Sequence, residues 1–243
     1  MENTRFTLFI SDLHLHPDQP QITSIFLQFL QHEAMTADSL YILGDLFEAW
    51  IGDDDLNPFT QQIIQALRQV TQSGLPVYFM RGNRDFLIGK QFARHTDVKL
   101  IPDPTVIDLY GKKTLLMHGD SLCTADVKHQ LWRKISLARY NPYLALWLPL
   151  TWRRKIGRWL RGQSRQHQYT LPDHIMDVTE YEVRRMMDSY QVTQLIHGHT
   201  HRPRIHQVAL NTCSGQRIVL GAWHEIGNVL RCDNQGNCVL SST

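Results

Sequence analysis

This sequence predicts an α/β fold, a two-layered sandwich with a helical insertion between Ser121 and Ser189, and three observations predict it. Strand-like and helix-like segments alternate from Phe6 to Met80, the order that builds a largely parallel sheet through right-handed crossovers. Short apolar runs repeatedly end in Asp, Asn or His, as expected where loops leave the carboxyl ends of strands and converge on one sheet edge. After His118 the texture changes to about sixty residues of helical and basic character.

The elements follow in chain order. Phe6–Ile10 is a β-prone apolar run, and Thr23 to Met35 carries Ile25, Phe26, Phe29 and Leu30 at helical spacing. Leu40–Leu43 is a second strand. Asn57 and Pro58 open a second helix that runs to Gln72 and stops at Ser73-Gly74. Val77–Met80 is a third strand, and Phe86 to Arg94 reads as a short helix. Val106–Leu109 and Thr114–Met117 flank Tyr110-Gly111-Lys112-Lys113, a hairpin. Gln194–Ile196 is a weaker strand-like run, and Arg204 to Leu240 returns to β-rich stretches such as Ile218–Leu220 and Asn228–Leu230.

At 243 residues the chain suits one large domain, with the insertion at about residues 121–189. The formal charge of +2 hides an asymmetry. Ten Lys or Arg and no acidic residue lie between Val127 and Pro172, which leaves 15 basic against 23 acidic residues elsewhere. One segment is thus suited to something anionic, and the body is rich in carboxylates. Cys123, Cys213, Cys232 and Cys238 show no zinc spacing, so buried or free thiols in a reducing compartment are expected. No apolar stretch approaches the roughly 20 residues that span a bilayer, and no signal-peptide core precedes Asp12. A cytoplasmic protein, with surface contact to a membrane, is the expectation.

The chemistry sits in five short segments: Asp12-Leu13-His14, Gly44-Asp45, Gly82-Asn83-Arg84-Asp85, His118-Gly119-Asp120 and Gly198-His199-Thr200-His201. Any one alone is commonplace, since Gly-Asp is an ordinary turn and a buried His usually just satisfies a backbone partner. Their order, with strand context in almost every case, is what carries weight. In this arrangement the chain resembles the calcineurin-like metallophosphoesterases, whose fold is a sandwich of mixed β-sheets flanked by helices. The resemblance implies two divalent cations about 4 Å apart. Asp12, His14 and His201 would hold one, Asn83, His118 and His199 the other, and Asp45 would bridge both. Mixed oxygen and imidazole donors without thiolate suit Mn²⁺ or Fe²⁺ better than Mg²⁺ or structural zinc, and two Mn²⁺ ions are the expectation, although affinity order alone does not select them. Many members carry His after Gly-Asn, and here Arg84 stands there. Arginine cannot serve as a general acid but clamps a phosphate bidentately, so a pyrophosphate substrate is indicated. The alternative is that Arg84 only pairs with Asp85.

A closer resemblance rests on Leu40 through Asp54, Gly82 through Leu87, His118 through Cys123, Ile175 through Val178, Ile196 through Pro203 and Val219 through Trp223. These segments resemble the UDP-2,3-diacylglucosamine pyrophosphohydrolase family of lipid A biosynthesis, from near residue 6 to about 230. That resemblance implies attack on the α-phosphorus, UMP and 2,3-diacylglucosamine 1-phosphate (lipid X) as products, and work on the cytoplasmic face of the inner membrane. Substrate contacts carry over to Asn83, Arg84, Asp126, Ser164 and His199, with Asp45 and Arg84 as the catalytic pair. The chain departs from the family at Gln168, Leu171 and His129, where Asn, Lys and Tyr are usual, and Arg161 or Arg165 could supply the missing charge. No nucleic acid and no obligate protein partner are implied.

Residues 141–165 interleave Leu and Trp with Arg and Lys. From Thr151 onward, Trp152, Ile156, Trp159 and Leu160 share one helical face, the pattern of a helix that lies in an anionic membrane surface. The competing reading is a lid whose apolar face packs on the body. The same metal core would also serve a nuclease or cyclic-nucleotide phosphodiesterase, and a catalytically dead scaffold should have lost donors that are all present here.

Overall fold

Strand β1 (Phe6–Ile10) is buried throughout and runs parallel to β2 (Ser39–Leu43), which continues in parallel to β3 (Val77–Met80) and β4 (Lys99–Ile101). The structure is a computed structural model that describes residues 5–124, 146–157, 177–211 and 213–242. Strands buried on both faces need nearly continuous apolar runs, which is why β1, β2 and β3 are legible in the sequence and the half-exposed β4 is not.

Helix α1 (Pro20–Gln31) starts three residues before the expected Thr23, because proline's fixed φ suits the first helical turn. It ends at Gln31, and the chain continues through a 3-10 turn at Ala34–Thr36. Phe26, Phe29 and Leu30 are buried, each worth about 1.5–3 kcal/mol of apolar burial. Helix α2 (Pro58–Gln72) matches its expected bounds, and Asn57 Oδ1 caps it by accepting from Thr60 N at 3.0 Å. Helix α3 (Lys90–Thr96) starts later than Phe86. Its amino end is fixed from outside, where the Asp53 carboxylate accepts from Gly89, Gln91 and Phe92 N–H groups.

A hairpin joins β5 (Thr105–Leu109) to β6 (Lys112–Met117). Tyr110 and Gly111 alone form its turn, both with positive φ (54° and 87°), the twist that two-residue hairpins favour. Residues 150–157 are helical (α4), and α5 (Glu180–Ser189) leads into β7 (Gln194–His197). The chain closes with β8 (Arg204–Ala209), β9 (Ser214–Val219), β10 (Asn228–Asp233) and β11 (Cys238–Ser242).

Two sheets result, ordered β11-β10-β1-β2-β3-β4 and β5-β6-β7-β9-β8. Their facing sides bury Phe9, Leu43 and Met80 with Leu116, Ile196 and Ile218. Helices α1, α2 and α3 cover the outer face of the first sheet, and α5 covers the second through Val183 and Met187. The expected sandwich of mixed β-sheets flanked by helices is what forms, and its layers number four, helix–sheet–sheet–helix, rather than two. Each sheet has one face toward the other sheet and one toward helices, and a single sequence pattern does not reveal that pairing.

The cysteine expectation also needs correction. Cys232 and Cys238 face one another across β10 and β11 and are disulfide-bonded. Antiparallel register brings the pair together, and spacing alone does not show it. Cys123 is buried and Cys213 exposed.

Candidate metal centre

Every proposed donor lies one to four residues beyond the carboxyl end of a strand. Asp12 and His14 follow β1, Asp45 follows β2, Asn83 follows β3, His118 follows β6, and His199 and His201 follow β7. Because β1, β2 and β3 are parallel in one sheet and β6 and β7 in the other, their loops meet at one edge of the sandwich. Backbone hydrogen bonds sew these loops together. Asp12 N donates to Gly44 O (3.1 Å), His14 N to Asp45 O (3.0 Å), Gly198 N to His118 O (2.9 Å) and Trp223 N to Asp12 O (3.1 Å).

The backbone there is unusual. Among the described residues, eight non-glycine positions have positive φ, and Asp12, His14, Asp45, His199 and His201 are five of them. Such conformations cost about 1–3 kcal/mol each and persist where surroundings over-determine them, chiefly at functional sites. Gly82 is required for close approach, because a Cβ at that position would collide with Asp45 Oδ1.

Two donor sets form. Ligand atoms of Asp12, His14 and His201 lie within 4.8 Å of one another, as do those of Asp45, His118 and His199. Asn83 Oδ1 joins the second set at 2.9 Å from His118 Nε2, and Asp45 Oδ1 is 3.8 Å from that same nitrogen. Among the described residues the buried Asp12 Oδ1 has no hydrogen-bond partner, and it sits 3.3 Å from His201 Nε2. Further atoms hold these ligands in place. Ser11 Oγ donates to Asp12 Oδ2 at 2.5 Å, and His199 N donates to the same oxygen at 2.8 Å. His118 Nδ1 faces Leu43 O at 2.9 Å, which leaves Nε2 with its lone pair toward the centre. Glu48 Oε2 lies 3.3 Å from His14 Nδ1 and orients that ring in the same way. Sequence reasoning assigned no role to Ser11 or Glu48, since nothing short of the fold places them against a ligand.

The titration behaviour fits a cation. Burial alone would raise the Asp12 pKa, but the contact with His201 and the charges of His201, His118 and His14 hold it well below the usual carboxylate range. Burial opposes a proton on His118, yet Asp45, Asp12 and Asp120 outweigh it and push the imidazole up to about 10. His14 is raised as well, against burial, by Glu48, Asp45 and Asp12. Carboxylates that favour a proton on these rings equally favour a metal ion in its place.

Asp85 is fully buried and accepts from Leu46 N (2.8 Å) and Gly82 N (2.7 Å), tying the loop after β2 to the loop after β3. Burial, then the nearby Asp45 charge, push its carboxyl up to about 7. Among the described residues no Arg84–Asp85 ion pair forms, so that alternative reading of Arg84 is set aside. Arg84 is half-buried, and its backbone N donates to Asp45 Oδ1 at 2.8 Å. Asp126, Ser164, His129, Gln168, Leu171, Arg161 and Arg165 lie outside the described residues.

Residues 7–203 match the family described as calcineurin-like phosphoesterase. The chain belongs to that family. This phosphoesterase is a metal-dependent hydrolase, and its paired donor sets are suited to divalent cations. It is 54% identical over 238 residues to a Coxiella burnetii protein named UDP-2,3-diacylglucosamine hydrolase, covering 98% of each chain. Proteins of the same name from Photobacterium profundum (50%, covering 95% of this chain and 94% of that one) and Serratia proteamaculans (49%, covering 93% and 94%) are also similar. The phosphoesterase therefore groups with these relatives. A solved structure described as a novel archaeal phosphodiesterase aligns with a TM-score of 0.50 at 11% identity, covering 98% of this chain and 99% of that one, a likeness of fold alone.

Within α4, Trp152 is 64% and Ile156 41% exposed, whereas Arg153 is only 6% exposed. The described turns of this helix thus present their apolar side outward, opposite to a lid that packs its apolar face on the body. No helix among the described residues is long and apolar enough to cross a membrane.

Proposed function

We propose that this enzyme hydrolyses the pyrophosphate bond of UDP-2,3-diacylglucosamine through attack of water on the α-phosphorus, releasing UMP and 2,3-diacylglucosamine 1-phosphate (lipid X) in lipid A biosynthesis. The observation that carries this reading is the nearly full-length likeness, at 54% identity, to a protein named for that substrate. Asp12, His14 and His201 would hold one Mn²⁺ and Asn83, His118 and His199 a second, with Asp45 able to serve both. When bound, the two cations lower the pKa of water and neutralise phosphoryl oxygens.

The protein's own groups do the remainder. Asp45 keeps its place because Arg84 N and the close approach of Gly82 fix its carboxylate. The Arg84 guanidinium clamps the second phosphate of the substrate, and Asn83 and His199 also touch phosphate, with Asp126 and Ser164 completing the contacts. A sugar phosphate leaves as a phosphate monoester, which needs little protonation, so an arginine suffices where other members use histidine.

Helix α4 belongs to a helical lid inserted at about residues 121–189. Beneath it a cavity of about 350 Å³, lined by Leu15, Phe47, Trp50, Ile51 and Phe59, is suited to an acyl chain. Exposed Trp147, Trp152 and Ile156, beside Lys155, dock the lid on anionic lipid at the cytoplasmic face of the inner membrane. Mass spectrometry of products formed in ¹⁸O-labelled water tests the reaction. Heavy oxygen in UMP is the expected result, and label in the lipid phosphate contradicts attack at the α-phosphorus.

A further inference from the structure

Three successive aspartates, Asp53-Asp54-Asp55, lie in the loop that follows Trp50, and each reaches a different partner. Asp53 caps α3 and accepts from Trp50 Nε1 at 3.0 Å. Asp54 takes both terminal nitrogens of Arg153, one at 2.8 Å, and Asp55 Oδ1 accepts from Arg154 Nη2 at 2.6 Å. Arg153 is almost fully buried. Its Nε donates to Leu148 O at 2.9 Å within its own segment, and Nη1 donates to Ile51 O at 2.7 Å. The contact is shaped for this guanidinium. Gly52 has φ 142°, and a Cβ there would collide with Arg153 Nη1.

The loop so gripped has a second attachment. Trp50 N donates to Arg84 O at 3.1 Å, so the backbone that carries the phosphate-clamping arginine hangs on the strand of chain that Arg153 fixes. The cavity lies in the same place, with Trp50, Ile51 and Asp55 as one wall and Arg154 and Gly157 of α4 as another.

We infer that Arg153 is a positioning residue: its bidentate grip on Asp54 and Ile51 holds α4 in register over the cavity and sets the loop on which Arg84 rests. This inference rests on the substrate reading above. Arg153 touches no reacting atom, so its effect falls on the substrate that spans the cavity and Arg84, and spares a small phosphodiester that needs only the metal centre. The bond is a fork that lysine cannot reproduce, because an ammonium is a single point donor. Asp54 is largely solvent-exposed, which gives a partner substitution that leaves the buried core intact.

The test compares Arg153→Met, Arg153→Lys, Asp54→Asn and the double variant Arg153→Met/Asp54→Asn in the Mn²⁺-loaded full-length enzyme. Turnover of UDP-2,3-diacylglucosamine is measured beside bis-p-nitrophenyl phosphate, and hydrogen exchange of residues 150–157 is followed without substrate. For Arg153→Met, kcat/KM on the glycolipid is expected to fall about 10- to 100-fold, mostly through KM, as a misplaced contact does. The small diester should change less than about twofold, with Lys partly restoring the loss. The double variant should lose no more than the worse single one, since both remove one contact. Exchange of residues 150–157 should accelerate in Arg153→Met. Equal losses on both substrates, or unchanged glycolipid kinetics with unchanged exchange, overturn the inference. If the wild type ignores the glycolipid, the substrate reading fails on its own. The exchange data still decide whether Arg153 holds α4, and unchanged exchange then overturns the inference.

Discussion

His14 Nε2 and His201 Nε2 face one another at 3.3 Å although 187 residues separate them in the chain. One proton can be shared between these two nitrogens, and with Asp12 Oδ1 3.3 Å from the same His201 nitrogen the three atoms surround one point. A single cation there satisfies all three. His201→Ala should accordingly leave a folded protein that retains fewer than two ions per chain by plasma mass spectrometry. Hydrolysis should fall about a hundredfold or more, the scale of losing one electrostatic stabiliser from a transition state. Wild-type metal content in that variant would remove His201 from the centre.

Asp85 is a buried carboxylate with two backbone N–H donors and, among the described residues, no ion-paired arginine. In Asp85→Asn an amide NH₂ replaces one acceptor and opposes a backbone N–H. A loss of about 1–3 kcal/mol is expected from a buried group left unsatisfied. Urea unfolding of the metal-free protein measures it, and a midpoint unchanged from wild type would show that Asp85 does not tie the two loops.

His197 is fully buried, with Nδ1 2.8 Å from Gly198 O and Nε2 3.4 Å from Arg217 Nη1. Burial, then the Arg217 charge, push its pKa down to about 4 from an ordinary 6.5. Below pH 6.5 the unfolded chain binds a proton that the folded chain refuses. The stability contributed by neutral His197 is thus complete above pH 6.5 and is lost as pH falls toward about 4, by roughly 3 kcal/mol in all. Unfolding free energies of the metal-free protein between pH 7 and 4.5 should fall less steeply in His197→Gln than in wild type. Equal slopes would contradict a neutral, buried His197.

Trp223 packs edge-on against Phe26 and Phe29, with ring centroids 6.1 and 5.6 Å away, while its backbone N holds Asp12 O. Trp223→Ala should cost about 3–5 kcal/mol through the cavity it leaves. Mn²⁺ affinity should weaken as well, because without the packed ring the segment whose backbone N–H holds Asp12 O is no longer fixed. Calorimetric titration with Mn²⁺ checks the coupling, and unchanged affinity in a destabilised variant would separate Trp223 from the centre.

The parallel strands and the donor loops were legible because both leave local marks. Leu40–Leu43 and Val77–Met80 are apolar without interruption and Phe6–Ile10 is broken only by the buried Thr7, as suits strands buried on both faces, and polar donors end the pattern where each strand ends. Strand β4 is unmarked in the sequence, and β8 and β11 are marked only as parts of a β-rich tail without bounds; all three lie at sheet edges, where half-exposed residues blur the alternation. Glu48 and Ser11 support ligands only through approach in space, and the Arg153–Asp54 contact joins residues 99 apart. Helix α4 (residues 150–157) has Trp152 and Ile156 exposed, while Trp159 and Leu160 of the expected apolar face lie outside the described residues. That its arginine would be the buried member and its tryptophan the exposed one depends on Asp54, which local periodicity does not contain.

Anomalous diffraction at the manganese edge, from crystals of the protein grown with Mn²⁺, tests the central claim most directly. Two peaks about 4 Å apart are predicted, one among Asp12, His14 and His201 and one among Asn83, His118 and His199, with Asp45 between them. A single peak, or none among these side chains, would contradict a dinuclear centre and the hydrolysis built on it.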